Sequence, residues 1–299
     1  MKQLLILSGK GGTGKTTVAS AFIKLSEAKK YADCDVDAPN LHLLMGGGGE
    51  PERKDYYGMP KAHIDSSRCT RCDACRQNCR FDAISTDYRV DVYSCEGCGV
   101  CRLVCPRDAV SLMDDIAGEL MIYKPEKGAV FSTARLKMGS GNSGKLVAEV
   151  KKQLRQAKGE ADIAVIDGSP GIGCPVIASI SGADTVLIVA EPSVSGLSDM
   201  ERIIKTAEIF KVKLAVCINK WDTNPDISHR IEGFCQERRL PFVGRIPFDT
   251  QAVRAINSGL CITDIDCQAG RAVRKVYENV MKIMLEGKKA DRHDSKNAC

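Results

Sequence analysis

Leu4-Leu5-Ile6-Leu7-Ser8-Gly9-Lys10-Gly11-Gly12-Thr13-Gly14-Lys15-Thr16-Thr17 is the stretch that decides the fold. An apolar run stops at a glycine-rich turn, and Val18, Ala21, Phe22 and Leu25 then fall at helical spacing. Strand, loop and helix in that order are the context in which G-x-x-x-x-G-K-[ST] binds phosphate. The glycines let backbone N–H groups close around phosphate oxygens at a helix N-terminus, where the helix dipole favours an anion. Lys15 is expected to reach the terminal phosphates and the Thr16 hydroxyl to coordinate magnesium. Apolar runs recur at Ile163–Ile166, Thr185–Ala190, Leu214–Ile218 and Phe242–Ile246. Helical spacing over Gly144–Lys158, Gly196–Phe210 and Ile227–Arg239 separates them. The alternation predicts an α/β fold, a doubly wound and mostly parallel sheet with both faces covered.

The middle of the chain breaks this rhythm. After Gly46-Gly47-Gly48-Gly49-Glu50-Pro51 comes a polar stretch and then a cysteine-dense segment, and the alternation resumes near Ala129. The expected organisation is one phosphate-loop domain over 1–50 and 120–287, a small inserted α+β domain over 60–115, and a polar tail over 288–299. The last helix, Gly270–Leu285, should pack on the sheet through Val273, Val276, Val280 and Met284. With 299 residues, 43% hydrophobic and 27% charged, the chain has ordinary globular composition, which excludes wholesale disorder. Lys and Arg exceed Asp and Glu by 43 to 38, but the excess forms no basic block, so nucleic acid is not an expected partner. No apolar run approaches the roughly 18–20 residues of a membrane helix, and four apolar residues before Ser8 are too few for a signal-peptide core. A cytoplasmic protein without stable membrane association is expected. Fifteen cysteines, eight of them between Cys69 and Cys105, then read as metal ligands rather than a disulfide framework.

Those eight form two copies of one spacing, Cys69-x2-Cys72-x2-Cys75-x3-Cys79 and Cys95-x2-Cys98-x2-Cys101-x3-Cys105-Pro106. Zinc would use two C-x2-C pairs and leave the middle cysteine of each triplet surplus. The spacing resembles the bacterial two-cluster ferredoxin pattern, in which the fourth cysteine of each run ligates the other cluster. The resemblance implies Cys69, Cys72, Cys75 and Cys105 for one 4Fe–4S cluster, and Cys79, Cys95, Cys98 and Cys101 for the second. Arg80 stands where the pattern has a proline, a position that is not a ligand.

Lys10-Gly-Gly-Thr-Gly-Lys-Thr-Thr17 carries an extra lysine at its start and resembles the deviant Walker A loop of the MinD/ParA/Mrp ATPases, which include the nitrogenase iron protein. That resemblance implies ATP as ligand, with Gly11, Gly12, Thr13, Gly14, Lys15, Thr16 and Thr17 around its phosphates. It also implies that Lys10 reaches a partner subunit's nucleotide in a nucleotide-dependent homodimer. Asp33-Cys34-Asp35-Val36-Asp37-Ala38-Pro39-Asn40 looks like the first switch, which makes Asp35 the carboxylate beside the attacking water and Asn40 a sensor of the γ-phosphate. Ile163–Asp167 is an apolar strand ending in an acid, the pattern of a magnesium-assisting aspartate, and Gly168–Gly173 resembles the second switch. Asn219-Lys220-Trp221-Asp222 alone is a guanine-reading N-K-x-D motif; in the MinD group this strand end gives an asparagine to adenine. Pro247 belongs to a segment resembling the family's base-lining stretch.

Among the other cysteines, Cys34, Cys217 and Cys235 read as core thiols, and Cys261 and Cys267 have no metal spacing. Cys174 lies where the nitrogenase iron protein has a cluster ligand, but Gly141–Lys145 lacks the second cysteine that such a shared cluster needs. His42, His63 and His229 read as structural or solvated.

Together these features resemble MinD-superfamily ATPases with an inserted ferredoxin domain. The function implied is ATP-gated electron transfer to a redox or Fe–S partner protein, with slow, partner-stimulated hydrolysis. Two other roles remain open. One is a cluster-assembly carrier, whose C-terminal C-x-x-C is not found after Cys105. The other is a positioning or partition switch in which the cysteine module is a sensor.

Overall fold

The computed structural model describes residues 1–45, 49–125 and 128–285; Gly46–Gly48 and the 288–299 tail lie outside the described residues. β1 (Lys2–Leu7) leads into α1 (Lys15–Leu25), and β2 (Lys30–Asp33) into the short α2 (Leu41–Met45). β3 (Glu52–Tyr57) precedes the cysteine-rich segment, which contains β4 (Lys61–Ile64), the one-turn helices α3 (Ala74–Gln77) and α4 (Val100–Leu103), and β5 (Val110–Met113). β6 (Ile116–Tyr123), β7 (Val130–Leu136), α5 (Ser143–Gln156), β8 (Ile163–Asp167) and α6 (Cys174–Ile180) follow. Then come β9 (Thr185–Ala190), α7 (Val194–Ile209), β10 (Lys213–Asn219) and α8 (Pro225–Glu237). β11 (Phe242–Ile246), α9 (Thr250–Asn257) and α10 (Gln268–Leu285) close the described chain.

The large sheet runs β11-β10-β9-β1-β8-β2-β7-β6-β3. Every pair from β11 to β7 is parallel, and β6 and β3 add two antiparallel strands at one edge. Alternation along β1 divides the core into two layers. Leu5 and Leu7 pack with Leu146, Ile180, Ile203 and Ile231 from α5 to α8, whereas Leu4 and Ile6 pack with Phe22, Val273 and Val280 from α1 and α10. Full burial of each such side chain stabilises the fold by about 1.5–3 kcal/mol relative to exposure. The α10 stripe of Val273, Val276, Val280 and Met284 is buried on the sheet, as its spacing implies. The winding reverses around β1: the chain moves to β2 on one side and, after β8, to β9 on the other. Open α/β sheets bind ligands at that switch point, beyond the C-terminal strand ends.

The cysteine-rich segment makes its own small core from Ala62, Ile84 and Val110 with Cys75, Cys95 and Cys101, beside the antiparallel β4–β5 pair. Its repeat is written in the backbone too. Left-handed φ at Arg71, Asp73 and Asp82 recurs at Gly97, Gly99 and Asp108, at the offset that separates Cys69 from Cys95. Glycine is required at 97, where a Cβ would lie 2.0 Å from the Pro60 carbonyl oxygen. The segment hangs between β3 and β6, which pair from Glu52↔Ile122 to Tyr57↔Ile116. β3 and the first residues of β6 join the large sheet, beyond the 1–50 and 120–287 limits read from composition.

Candidate functional site

The loop between β1 and α1 is held from behind. Asn219, at the end of β10, donates Nδ2 to the Thr13 carbonyl at 2.7 Å, and Lys220 Nζ donates to the Gly12 carbonyl at 2.9 Å. Gly14 has φ +91° and sits against Asn219, so a side chain there would be both strained and blocked. Among the described residues, the amides of Gly11, Gly12, Thr13 and Gly14 donate to no protein acceptor. Carbonyls engaged from outside and uncommitted amides beside a helix N-terminus make an anion cradle.

One ammonium and three carboxylates meet beneath this cradle. Lys15 Nζ lies 2.5 Å from Asp167 Oδ1, and the Thr16 hydroxyl donates to Asp167 Oδ2 at 2.6 Å. Burial works against the Lys15 charge, but Asp167, Asp33 and Asp35 outweigh it and raise its pKa. Burial first, then repulsion from Asp167, pushes the Asp33 carboxyl up to about 7, against the opposing pull of Lys15 and the Leu41 and Asp35 amides. Burial, reinforced by Asp167, also raises Asp35. Thr16 and Asp167, the residues expected to serve magnesium, are thus in contact. No group of three or more His, Cys, Asp or Glu among the described residues could hold a metal ion by itself. Magnesium at phosphate sites takes one or two protein ligands and completes its shell with phosphate and water, so this donor set fits it.

Asp33 was not singled out by the sequence reading, although it anchors the first switch segment. Its Oδ1 accepts from the Asp35 amide at 3.0 Å, and its Oδ2 from Asn40 and Leu41 at 2.9 and 3.0 Å. The available signal was that β2, like β8, ends in aspartate, and the register pairs Asp33 with Asp167. Asp35, Asn40, Leu43, Pro170, Ile256, Asn257 and Gly259 line a cleft of about 770 Å³ together with the phosphate loop. That size suits a small ligand.

Lys10 also lines the cleft. Its ammonium turns to its own chain, 3.0 Å from Glu191 and 3.2 Å from Ser193 Oγ. Glu191 also pairs with Lys220; burial opposes its charge, yet the two lysines hold its carboxyl below the usual range. Asn219 meets the loop from the rear, and Pro247 does not line the cleft. Asp222 accepts from the Phe248 amide at 2.7 Å, which ties the N-K-x-D segment to the 246–249 turn. Cys174 is exposed and lies close to Gly144, where a Cβ would come within 3.1 Å of the Cys174 Cβ. Cys34, Cys217 and Cys235 are buried, as expected of core thiols.

The eight clustered cysteines are free thiols that fall into two neighbourhoods. Cys79, Cys95, Cys98 and Cys101 line one small cavity, although Cys79 lies in the first repeat. Burial raises the Cys75 thiol, and the thiols adding to that are Cys69 and Cys105, the latter from the second repeat. Cys101 is raised by burial and then by Cys95, Cys98 and Cys75. Backbone amides already point at two sulfurs: Ala62 N lies 3.5 Å from Cys95 Sγ, and Ala109 N 3.3 Å from Cys105 Sγ. Among the described residues no set of these thiols is placed to hold a single metal ion. Four cysteine sulfurs in each set are the donor chemistry that an iron–sulfur cluster takes.

The two neighbourhoods occupy opposite ends of the β4–β5 pair. Lys61 Nζ donates to the Cys95 carbonyl at 2.6 Å, and Gly97 abuts Met59 and Pro60, on the side of the large sheet. At the other end Asp65 N bonds Ala109 O at 2.8 Å and Cys69 N bonds Asp65 O at 3.0 Å, next to Cys105.

The family model of the CobQ/CobB/MinD/ParA nucleotide binding domain matches residues 4–262. An uncharacterized protein of Methanocaldococcus jannaschii is 31% identical over 286 residues, covering 94% of this chain and 97% of that one. An iron-sulfur cluster carrier protein of the same organism is 26% identical over 144 residues, covering 44% of this chain and 49% of its own. The fold is similar to that of the septum site-determining protein MinD complexed with Mg-ADP from Pyrococcus horikoshii. The TM-score is 0.56 at 18% identity, over 95% of this chain and 98% of that one.

Proposed function

The chain belongs to the CobQ/CobB/MinD/ParA nucleotide-binding family, and from that premise we propose that it is a MinD-type ATPase whose nucleotide state governs electron transfer through two 4Fe–4S clusters to a partner protein. The observation that carries the iron–sulfur half is the crossed sorting of thiols, with Cys79 beside Cys95, Cys98 and Cys101, and Cys105 beside Cys75 and Cys69. Those two sets would hold the clusters, which supply one-electron chemistry when bound.

ATP enters the cleft with its phosphates on the free amides of Gly11–Gly14, extending to Lys15, Thr16 and Thr17. Lys15 would exchange its bond to Asp167 for the terminal phosphates, and Thr16 and Asp167 would hold magnesium, which would supply neutralising charge to the phosphates. Asp35 orients the attacking water, and Asn40 reads the γ-phosphate from the same switch segment. Asn219 acts by fixing the Thr13 carbonyl, Pro247 belongs to the base side, and Lys10 leaves Glu191 to reach a second subunit's phosphates in an ATP-bound homodimer. ATP rather than GTP is the reading carried by the loop's likeness to the MinD group, and Asp222, which accepts from the Phe248 amide, is not among the residues lining the cleft.

A physical route joins the two halves. The switch carbonyl of Val36 accepts from Leu136 N at 2.9 Å, at the end of β7. The following loop touches the cysteine module on both sides of Cys95: a Cβ on Gly139 would lie 3.0 Å from Tyr93, and one on Gly141 4.0 Å from Glu96. Movement of the switch segment therefore has a path to the Cys79/95/98/101 set. The test is iron and labile-sulfide analysis of anaerobic protein with electron paramagnetic resonance in the presence and absence of MgATP. Stoichiometric zinc without sulfide would sink the cluster assignment.

A cluster-carrier ATPase is the second reading, favoured by the partial match to the cluster carrier. A carrier gives its iron to an apo-acceptor protein, whereas the electron-transfer protein keeps it through many turnovers.

A further inference from the structure

The two lysines of the phosphate loop are held by contacts that differ in kind. Lys15 pairs with Asp167 in the interior, where the side chains are 6% and 0% exposed. Lys10 pairs at the rim with Glu191 at 3.0 Å, where the side chains are 38% and 23% exposed. Its ammonium also reaches Ser193 Oγ at 3.2 Å and Ser195 Oγ at 3.4 Å. A pair so open to water is weak and reverses readily.

The seat that receives Lys10 is tightly built, whereas the loop beside Lys10 is open. Ser193 N donates to the Glu191 carbonyl at 2.8 Å, and Ser193 Oγ caps α7 by accepting from Gly196 N at 3.0 Å. A Cβ on Gly196 would lie 2.3 Å from the Glu191 carbonyl oxygen, so the turn closes only over glycine. By contrast, a Cβ on Gly11 or Gly12 would meet nothing within 4 Å. Glu191 is not left bare when Lys10 departs, because its other oxygen lies 3.4 Å from Lys220 Nζ. Lys220 has its own bond to the Gly12 carbonyl at 2.9 Å, so the cradle does not depend on Lys10 staying. Breaking an ion pair is expensive chiefly where it strands a charge, and here it strands none.

We infer that Glu191, seated with Ser193 at the start of α7, is a cis latch that holds Lys10 back from a second copy of the chain and so sets how readily the ATP-bound homodimer closes. The inference rests on the homodimer of the proposed function. Glu191 acts through Lys10 and is a positioning residue. When only a released fraction of a protein is competent to bind, its apparent affinity falls by that fraction. Closing one dimer opens two latches, so a threefold change in the released fraction of each chain changes the dimer dissociation constant about tenfold.

Two arms test this. In the first, Asp35→Ala, which accumulates the ATP-bound dimer, is compared with Asp35→Ala/Glu191→Gln by sedimentation across a dilution series in saturating MgATP. The double variant should reach half-dimerisation at about tenfold lower protein concentration. The equal-charge control Asp35→Ala/Glu278→Gln, altered at an exposed position of α10, should shift it less than about twofold. Damage to the fold would weaken the dimer, so the sign of the shift separates release of a latch from loss of structure. In the second arm, nucleotide-free protein is acetylated on its amines and read by mass spectrometry. Relative to the exposed Lys205, Lys10 should be modified about threefold faster in Glu191→Gln than in the parent. A dimer that is unshifted or weaker on Glu191→Gln, while Asp35→Ala itself dimerises, would overturn the latch. Unchanged acetylation of Lys10 would overturn the cis contact. A strictly monomeric Asp35→Ala with acetylation raised as expected would instead overturn the homodimer reading, and with it the role of the latch but not the contact.

Discussion

Replacement of Lys15 by methionine separates the charge account of the nucleotide site from a merely steric one. The methionine keeps most of the buried stem but removes the ammonium 2.5 Å from Asp167. Asp167, Asp33 and Asp35 then face one another without a counter-charge. Breaking a buried pair by removing one partner costs about 3–5 kcal/mol where the survivor must stay ionised. Here the survivors can escape by taking up protons. Asp33 already stands near 7 because of burial and Asp167, with Lys15 opposing; without Lys15 it and Asp35 rise further. A carboxyl whose folded pKa exceeds its unfolded one binds more protons in the native state, so its contribution falls as pH rises from about 4 through the folded value. The deficit of the variant should therefore be about 3–5 kcal/mol at pH 8 and shrink to about 1 kcal/mol at pH 5. Urea unfolding of metal- and nucleotide-free protein, followed by far-ultraviolet circular dichroism at pH 5, 6, 7 and 8, reads this directly. ATP binding should weaken at least tenfold to a hundredfold through loss of a charged hydrogen bond of about 1.5–3 kcal/mol. A deficit that is flat with pH, or that grows toward pH 5, would refute the three-carboxylate description.

Cys79→Ser should cost the set containing Cys95 and leave the Cys69/72/75/105 set intact, and Cys105→Ser should do the reverse. Each variant should retain about half the iron, with distinct resonance spectra; loss of the same cluster in both would disprove the crossing. Asp35→Ala should hydrolyse ATP at least tenfold more slowly and accumulate as a dimer in MgATP by light scattering. Lys10→Ala should bind ATP yet stay monomeric, and a Lys10→Ala dimer would remove the trans role. Gly139→Val puts a branched side chain against Tyr93 at φ +75°. It should abolish the effect of MgATP on the cluster spectra without changing iron content, and an undiminished effect would discard the loop as the route.

The sheet and the phosphate loop were legible because each carries a period or spacing with one physical solution. Apolar runs such as Thr185–Ala190 occur where both faces of a strand are covered, and Gly12 and Gly14 where the backbone turns left-handed under Asn219. β3 escaped notice because Glu52-Arg53-Lys54-Asp55 is an edge strand, whose charges discourage further pairing and erase the apolar signal. Asp33 escaped because its role is to accept three amides from a segment that follows it, a tertiary arrangement with no spacing rule. The cis contact of Lys10 with Glu191 and Ser193 was equally hidden, since it joins β1 to a turn far along the chain. The crossing of Cys79 and Cys105 comes from the resemblance to ferredoxins, and Cys79 lines one cavity with Cys95, Cys98 and Cys101. What covers each set, and hence their different surroundings, could be read only from the fold.

The most direct measurement is a redox titration of the anaerobic, iron-loaded protein, followed by electron paramagnetic resonance with and without MgATP. Two reducible clusters, of which the Cys79/95/98/101 cluster shifts its potential or line shape on MgATP addition, are the predicted result. Two clusters with spectra and potentials identical in both conditions would contradict the coupling of nucleotide to electron transfer.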